Sequence, residues 1–318
     1  MKDRTRRVGL GLATALLLLM TGGMDAGAAE PDPKLEAILA GDPDYRPQRL
    51  VLTDIPAATG PAVHLLNGRD LSDWDIWLGY PDPAVTYINK TAKPIGARPG
   101  GDPMFTLVTL EGEPTLRVDG TTWGSIVHRG SFSDYHLRLE FKWSGKRHAP
   151  RLDLPENNGL LYHSFVTPGT VYGTWMPSVE FEIMRGSTGM VVPVGTMVKP
   201  VTDAARDRSL IDPQRRFMVG GRPVTVEAPA WNVEAATDAE RPVGEWNVLD
   251  LYVLGDRSIH VVNGVPVMEL RDLSILQADG SRTPLTRGHI QFQSEGAETF
   301  FRRITLEPIT RLPKISAQ

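Results

Sequence analysis

From about residue 50 onward, nearly every regular run of the chain alternates apolar and polar positions with a period of two. Leu137, Leu139 and Phe141 stand against Arg138, Glu140 and Lys142; Val179, Phe181 and Ile183 stand against Glu180 and Glu182; Ile290 and Phe292 stand against Gln291 and Gln293. Successive side chains of an extended strand point to opposite faces, so these runs predict strands with one face in a core and the other toward water or a ligand. Turn signals separate them at Asn67-Gly68, Pro99-Gly100-Gly101, Asn263-Gly264 and Asp279-Gly280. Asn263-Gly264 is the clearest, because both residue types accept the positive φ that a tight hairpin between 258–262 and 265–268 requires. With 26 prolines, 31 glycines, no long amphipathic helix and no internal repeat, the pattern predicts an all-β sandwich or jelly roll. Two stretches, 81–103 and 199–242, show no sustained period and read as long loops.

The N-terminus departs from this pattern. Lys2, Arg4, Arg6 and Arg7 precede an apolar run from Val8 to Met20, and the small residues Ala26, Gly27, Ala28 and Ala29 follow. That order predicts a secretory signal peptide over 1–29, cut after Ala28 or Ala29, and hence a periplasmic or secreted protein. The alternative is a membrane anchor, but about 13 apolar residues fall short of the roughly 20 that a spanning helix needs. No integral membrane span is therefore expected after processing. Thr5-Arg6-Arg7 is a poor twin-arginine signal, with Gly9 where a large apolar residue usually stands. Residues 30–61 read as a proline-rich strap, with a helical turn or two near Lys34 to Leu39, leading into a single domain over 62–310.

Composition narrows the chemistry. The absence of cysteine excludes disulfides, thiolate metal sites and a cysteine nucleophile. A net charge of -4 provides no basic field for nucleic acid, whereas a small saccharide is compatible. No phosphate-binding glycine loop, H-E-x-x-H or G-x-S-x-G is present, and the seven histidines lack metal-ligand spacing. Nothing in the sequence requires a cofactor; a divalent cation held by distant strands stays open.

Several segments resemble, in order, the 3-keto-disaccharide hydrolase family. Leu65-Leu66-Asn67-Gly68-Arg69-Asp70-Leu71-Ser72-Asp73-Trp74 is similar to that family's "LFNGKDLSGW". Phe132 to Phe141, Asn157 to His163, Val179 to Met184, Gly244-Glu245-Trp246-Asn247, Gly288 to Gln293 and Phe301-Arg302-Arg303-Ile304 resemble further family segments. The resemblance covers roughly 62–308 apart from the two loops, and departs from the pattern where Glu182 replaces a usual Gln and His163 an often-seen Arg. It implies a concanavalin-like jelly-roll sandwich of two antiparallel sheets, with a sugar cleft on the outward face of one sheet. It also implies a glycoside already oxidised at C3 as substrate, cleaved by β-elimination or net hydrolysis.

Within that frame, Glu180 and Glu182 should share the open face of a central strand, their Cα atoms about 6.6–7 Å apart. Like-charge repulsion would then raise one pKa and leave one acid and one base. The bland alternative is a solvated outer face or a calcium-binding edge. The family match places Asn157, Gly159, Leu161 and His163 on the cleft side, which makes His163 a third catalytic candidate and Asn157 a sugar ligand. Arg138 and Glu140 share a face of their strand, Gln293 faces away from Phe292, and Trp175 sits in a loop where it either stacks on a pyranose or packs in the core. His163, Arg138 or a bound cation would stabilise an enediolate oxygen. Two rivals remain: a non-catalytic carbohydrate-binding or adhesion module, and a conventional β-glucanase. The latter is disfavoured because Glu180-Phe181-Glu182-Ile183-Met184-Arg185 lacks the third carboxylate of the glucanase strand signature.

Overall fold

The computed structural model describes residues 33–88, 91–210 and 214–318. The expected signal peptide lies outside the described residues. Two antiparallel sheets face one another. The front sheet runs, in spatial order, Val191–Val194, Ser178–Met184, Asn157–Ser164, His289–Ser294, Gly124–His128, Trp74–Leu78 and Gly96–Ala97. The back sheet runs Val265–Leu270, Arg257–Val262, Asn247–Leu254, Tyr135–Arg147, Ala297–Pro308, Glu113–Val118 and Phe105–Leu110, with Val63–His64 also paired to Ala297–Pro308. This is the all-β sandwich that the alternation predicts, in the concanavalin-like jelly-roll form that the family resemblance implies.

The alternating apolar residues meet between the sheets. Val179, Phe181, Ile183, Leu160, Tyr162 and Phe292 from the front pack with Leu137, Leu139, Phe141, Leu249, Leu251 and Phe301 from the back. Burying each such side chain contributes about 1.5–3 kcal/mol. A one-residue slip would expose every apolar member of a strand, so this burial fixes the register. The Asn263-Gly264 hairpin forms as expected, with φ of 50° and 82° at the two turn residues.

One expectation needs correction. The stretch 199–242 is not simply a loop: Val201–Arg206, Arg215–Phe217 and Arg222–Thr225 form a small antiparallel sheet. Ala204, Phe217, Val224 and Val226 join the main core, so their burial compensates for the missing long-range period. The strap, in turn, is clamped to this small sheet after a helix over Pro33–Leu39. The Asp42 carboxylate, wholly buried, pairs with Arg215 at 2.7 Å and with Arg222, while Glu36 pairs with Arg206. Among the described residues no helix is long and apolar enough to cross a membrane.

Candidate active site

Strand Ser178–Met184 lies next to the edge strand of the front sheet, not at its centre as the sequence suggested. Its register sets Glu180 opposite Leu161 and Val192, Glu182 opposite Gly159, and Met184 opposite Asn157. Directly paired residues share a face. Asn157, Gly159, Leu161, Glu180 and Glu182 therefore form one patch on the outer face, while Phe181 and Ile183 point into the core. The patch is not a solvated surface, because Glu180 is only 3% exposed and Glu182 only 5%. Gly159 makes the arrangement possible: a Cβ there would overlap Glu180 Oε1 and come within 2.9 Å of both Glu180 Cδ and Leu161 Cδ1.

Burial dominates the electrostatics of the pair. Loss of water pushes the Glu180 carboxyl well above the ordinary range, and the charges of Glu182 and Glu295 add to this. Glu182 is pushed up to about 8 by burial and by Glu295, opposed by the Arg151 guanidinium and a hydrogen bond with Glu180. The difference has a direction: Glu180 holds the proton and donates toward Glu182, whose charge alone has a nearby cation. Below about pH 8 both carboxyls therefore hold protons, and above it the strand presents a protonated carboxyl beside a carboxylate, an arrangement suited to simultaneous proton donation and abstraction.

The neighbouring strands complete the patch. Gln291 lies opposite Leu161, and Gln293 lies two residues further on the same face. Gln291 Nε2 donates to Ser164 Oγ at 2.8 Å. From the covering segments come Trp175, Trp123 and Tyr87, with ring centroids 6.2 Å apart for Trp123 and Trp175 and 6.1 Å for Tyr87 and Trp175. Leu161 and Val192 pack with Trp123 and Trp175, which seats the indoles against the strands that carry the glutamates. Several polar atoms here are buried without a protein partner: Glu180 Oε1, Asn157 Oδ1, Gln291 Oε1, Gln293 Oε1, Trp123 Nε1, Trp175 Nε1 and Arg151 Nε. Unsatisfied buried groups are costly, and their concentration on one face marks a place for a polar ligand or ordered water.

Of the residues singled out from sequence, the fold therefore brings together Glu180, Glu182, Asn157, Trp175 and Gln293. It separates three others. His163 has a φ of 53°, and the pairing of its strand with His289–Ser294 shifts register nearby. This local departure from strand geometry turns the imidazole into the sandwich, where Nε2 lies 3.3 Å from the Gly255 carbonyl of a back-sheet turn. Burial there pushes its pKa down to about 4, so it is a neutral interior side chain. Arg138 and Glu140 stand on the outer face of the back sheet, because their strand buries Leu137, Leu139 and Phe141. Arg138 pairs with Asp250 at 2.7 Å, and Glu140 pairs with Arg302 and Arg303 at 2.7 and 2.8 Å. Neither reaches the glutamates.

The sequence reading missed Tyr87, Trp123, Arg151, Gln291 and Glu295. Parity offered one signal, since Gln291, Gln293 and Glu295 continue one alternation past the end of their strand. Tyr87 and Arg151 sit in aperiodic segments and gave none. An open groove of about 640 Å³ begins beyond the end of the glutamate strand, lined by Glu156, Arg185, Glu240 and Arg241 among others, and contains neither paired glutamate. Among the described residues, no three His, Cys, Asp or Glu side chains are arranged to hold a metal ion.

With this geometry in view, known proteins can be compared. A family model described as the 3-keto-alpha-glucoside-1,2-lyase-like domain matches residues 61–307. Similar solved structures include two proposed glycosyl hydrolases from Parabacteroides distasonis. One is 17% identical over 79% of this chain and 100% of that chain, with a TM-score of 0.43. The other is 15% identical over 78% and 94%, with a TM-score of 0.44. A carbohydrate binding module from Bacillus subtilis is 13% identical over 64% and 91%, with a TM-score of 0.34. Likeness at this level carries no argument about activity. Comparison with curated protein sequences finds no match.

Proposed function

Because the chain belongs to the family of 3-keto-alpha-glucoside-1,2-lyase-like domains, a carbohydrate-active family, we propose that it cleaves glycosides already oxidised at C3. The observation that carries this reading is the pair Glu180 and Glu182, buried side by side on one strand, with Glu182 the first of the two to ionise as pH rises. A C3 ketone acidifies the C2 proton. Glu182, the base, takes that proton, and the electron pair of the C2–H bond moves into an enediolate spread over C2 and the C3 oxygen. Collapse of the enediolate forms the C1–C2 double bond, restores the ketone and breaks the C1–O bond. Glu180 gives its proton to the departing oxygen. Glu182 ends protonated and Glu180 ionised, and one proton transfer between the adjacent carboxyls resets the pair. Addition of water across the new double bond would turn elimination into net hydrolysis.

Trp175 and Trp123 pack with Leu161 and Val192 beside the glutamates as an apolar wall, while Asn157, Gln291 and Gln293 present the unsatisfied oxygens that sugar hydroxyls would meet. The signal-like N-terminus supports action outside the cytoplasm.

The test is incubation of purified protein with a 3-keto glycoside and with its unoxidised parent, following aglycone release. Release from the ketone alone is expected. Turnover of the parent alone would favour a conventional glycosidase, and turnover of neither a binding module. In the same assay Glu180→Gln and Glu182→Gln should each lower kcat by at least about 10²-fold, since a positioned acid or base contributes about 10²–10⁴-fold.

A further inference from the structure

With His163 and Arg138 outside the site, neither of the side chains that the sequence suggested can stabilise the enediolate oxygen of the proposed reaction. We propose that Arg151 is that further catalytic residue, and that Glu295 is the positioning residue that holds it beside the glutamate pair. The inference rests on the reading of Glu180 and Glu182 as base and acid for a 3-keto glycoside.

Arg151 comes from the segment between the back-sheet strand Tyr135–Arg147 and the front-sheet strand Asn157–Ser164. Its side chain is 13% exposed, with Nη1 3.5 Å from Glu295 Oε1 and Nη2 4.0 Å from Met184 Sδ. Its Nε is buried with no partner, a donor left free for a ligand oxygen. The same Glu295 oxygen accepts from the Tyr87 hydroxyl at 3.2 Å, which ties the covering segment to the guanidinium.

The seat is shaped by Gly296, whose φ is +88°. A Cβ there would stand 3.0 Å from Arg151 Cδ, 3.1 Å from Cβ and 3.2 Å from Cγ. The backbone locks the arrangement: His148 N donates to Gly296 O at 2.8 Å, and Arg151 N donates to His148 O at 2.9 Å. Glu295 and Gly296 form the turn between two strands belonging to opposite sheets, so this end of the guanidinium is fixed to the scaffold.

The charged and titratable groups facing Glu182 are Glu180 on its own strand, Glu295 from this turn, Arg151, Glu234 from the 232–236 segment, and Tyr87 from the cover. Arg151 is the one cation among them. Once Glu182 has taken the C2 proton, the developing oxyanion at C3 finds its complementary charge in Arg151 and lies on the Arg151 side. A fork of N–H donors in a water-poor site is worth far more there than in solution.

Three variants test this after far-UV circular dichroism and thermal denaturation have verified folding: Arg151→Met, Arg151→Lys and Glu295→Gln. With a 3-keto glycoside, Arg151→Met should lower kcat by about 10²–10³-fold with KM within about tenfold, the loss typical of a deleted oxyanion donor. Arg151→Lys, the fallback if the methionine variant does not fold, keeps charge but loses the fork and should fall between them. Glu295→Gln still accepts from Tyr87 but grips Arg151 without charge, and should lower kcat about tenfold by loosening its position. A second readout needs no substrate: carboxyl carbon NMR of glutamate-labelled protein follows the titration of Glu182. Its midpoint should rise in Arg151→Met and fall in Glu295→Gln. If the wild type cleaves no 3-keto glycoside, the reading of the reaction fails, while the NMR shifts still decide whether Arg151 governs the pair. Wild-type kcat in both Arg151 variants, or a Glu182 midpoint unmoved by Arg151→Met and Glu295→Gln, would overturn the proposal.

Discussion

Gly159→Ala adds one methyl group to the floor of the site, and its effect follows from what that methyl would meet. The new Cβ overlaps Glu180 Oε1 and lies 2.9 Å from Glu180 Cδ and from Leu161 Cδ1. Ordinary carbon contacts are about 3.5–4.0 Å, so the carboxyl must retreat by more than about 1 Å or swing to another rotamer. Gly159 is not among the residues with left-handed φ, so alanine fits the backbone itself. The strain is confined to the end of a flexible side chain and to one leucine methyl. Overpacking of about 1–3 kcal/mol is then partly offset by the roughly 0.4–1 kcal/mol gained from a less flexible unfolded chain. The net loss of stability should be at most about 2.6 kcal/mol, a shift of several degrees in Tm for a domain of this size. The catalytic loss should be far larger, because a displacement of about 1 Å in a positioned group can cost about 10²-fold in rate. The assay is kcat and KM with a 3-keto glycoside beside a thermal melt, with Gly159→Ser as a second probe of the same space. A folded Gly159→Ala protein with wild-type kcat would refute the claim that Glu180 acts from the position seen here.

The remaining predictions concern protonation, the strap and export. If Glu182 must be ionised, kcat/KM should climb as pH rises through about 8 and fall again at the higher pH where Glu180 loses its proton; a profile flat from pH 6 to 10 would count against the assignment. Burial raises the folded-state pKa of Glu182, so its contribution to stability is full below the unfolded carboxyl value near about 4.3 and is lost as pH rises through about 8. Glu182→Gln should therefore match wild type in Tm near pH 4 and exceed it increasingly up to pH 9; an equal Tm at every pH would contradict a buried, reluctantly charged Glu182. Asp42→Ala leaves Arg215, whose side chain is 4% exposed, buried without its carboxylate, and should cost about 3–5 kcal/mol in denaturant unfolding; a loss below about 1 kcal/mol would mean that the strap is not held by this pair. N-terminal sequencing of protein recovered from its native host should begin at Ala29 or Glu30, whereas an intact N-terminus in the membrane fraction would support an anchor.

Much of the sandwich is legible in the sequence because strands are local in period. Leu137, Leu139 and Phe141, or Val179, Phe181 and Ile183, declare their buried side within a few residues, and Asn263-Gly264 declares its turn within two. The same parity argument puts Glu180 and Glu182 on one face and Gln293 with them. It misleads at His163, where a left-handed residue and a register shift break the alternation. It also cannot tell the outer face of one sheet from that of the other, which is why Arg138 and Glu140 looked equivalent to the glutamates.

The sequence by itself thus determines the alternation, the turns and the pairing of two carboxylates on one strand, since each depends only on neighbours along the chain. Only the tertiary structure decides that those carboxylates are buried, that Glu182 rather than Glu180 faces a cation, and that the cation is Arg151. Those outcomes depend on groups from five separate segments, carrying Tyr87, Arg151, Glu180, Glu234 and Glu295, converging on one face. Desolvation and Coulomb energy act through space, and the order of residues along the chain carries no record of which distant side chains will share a dry environment.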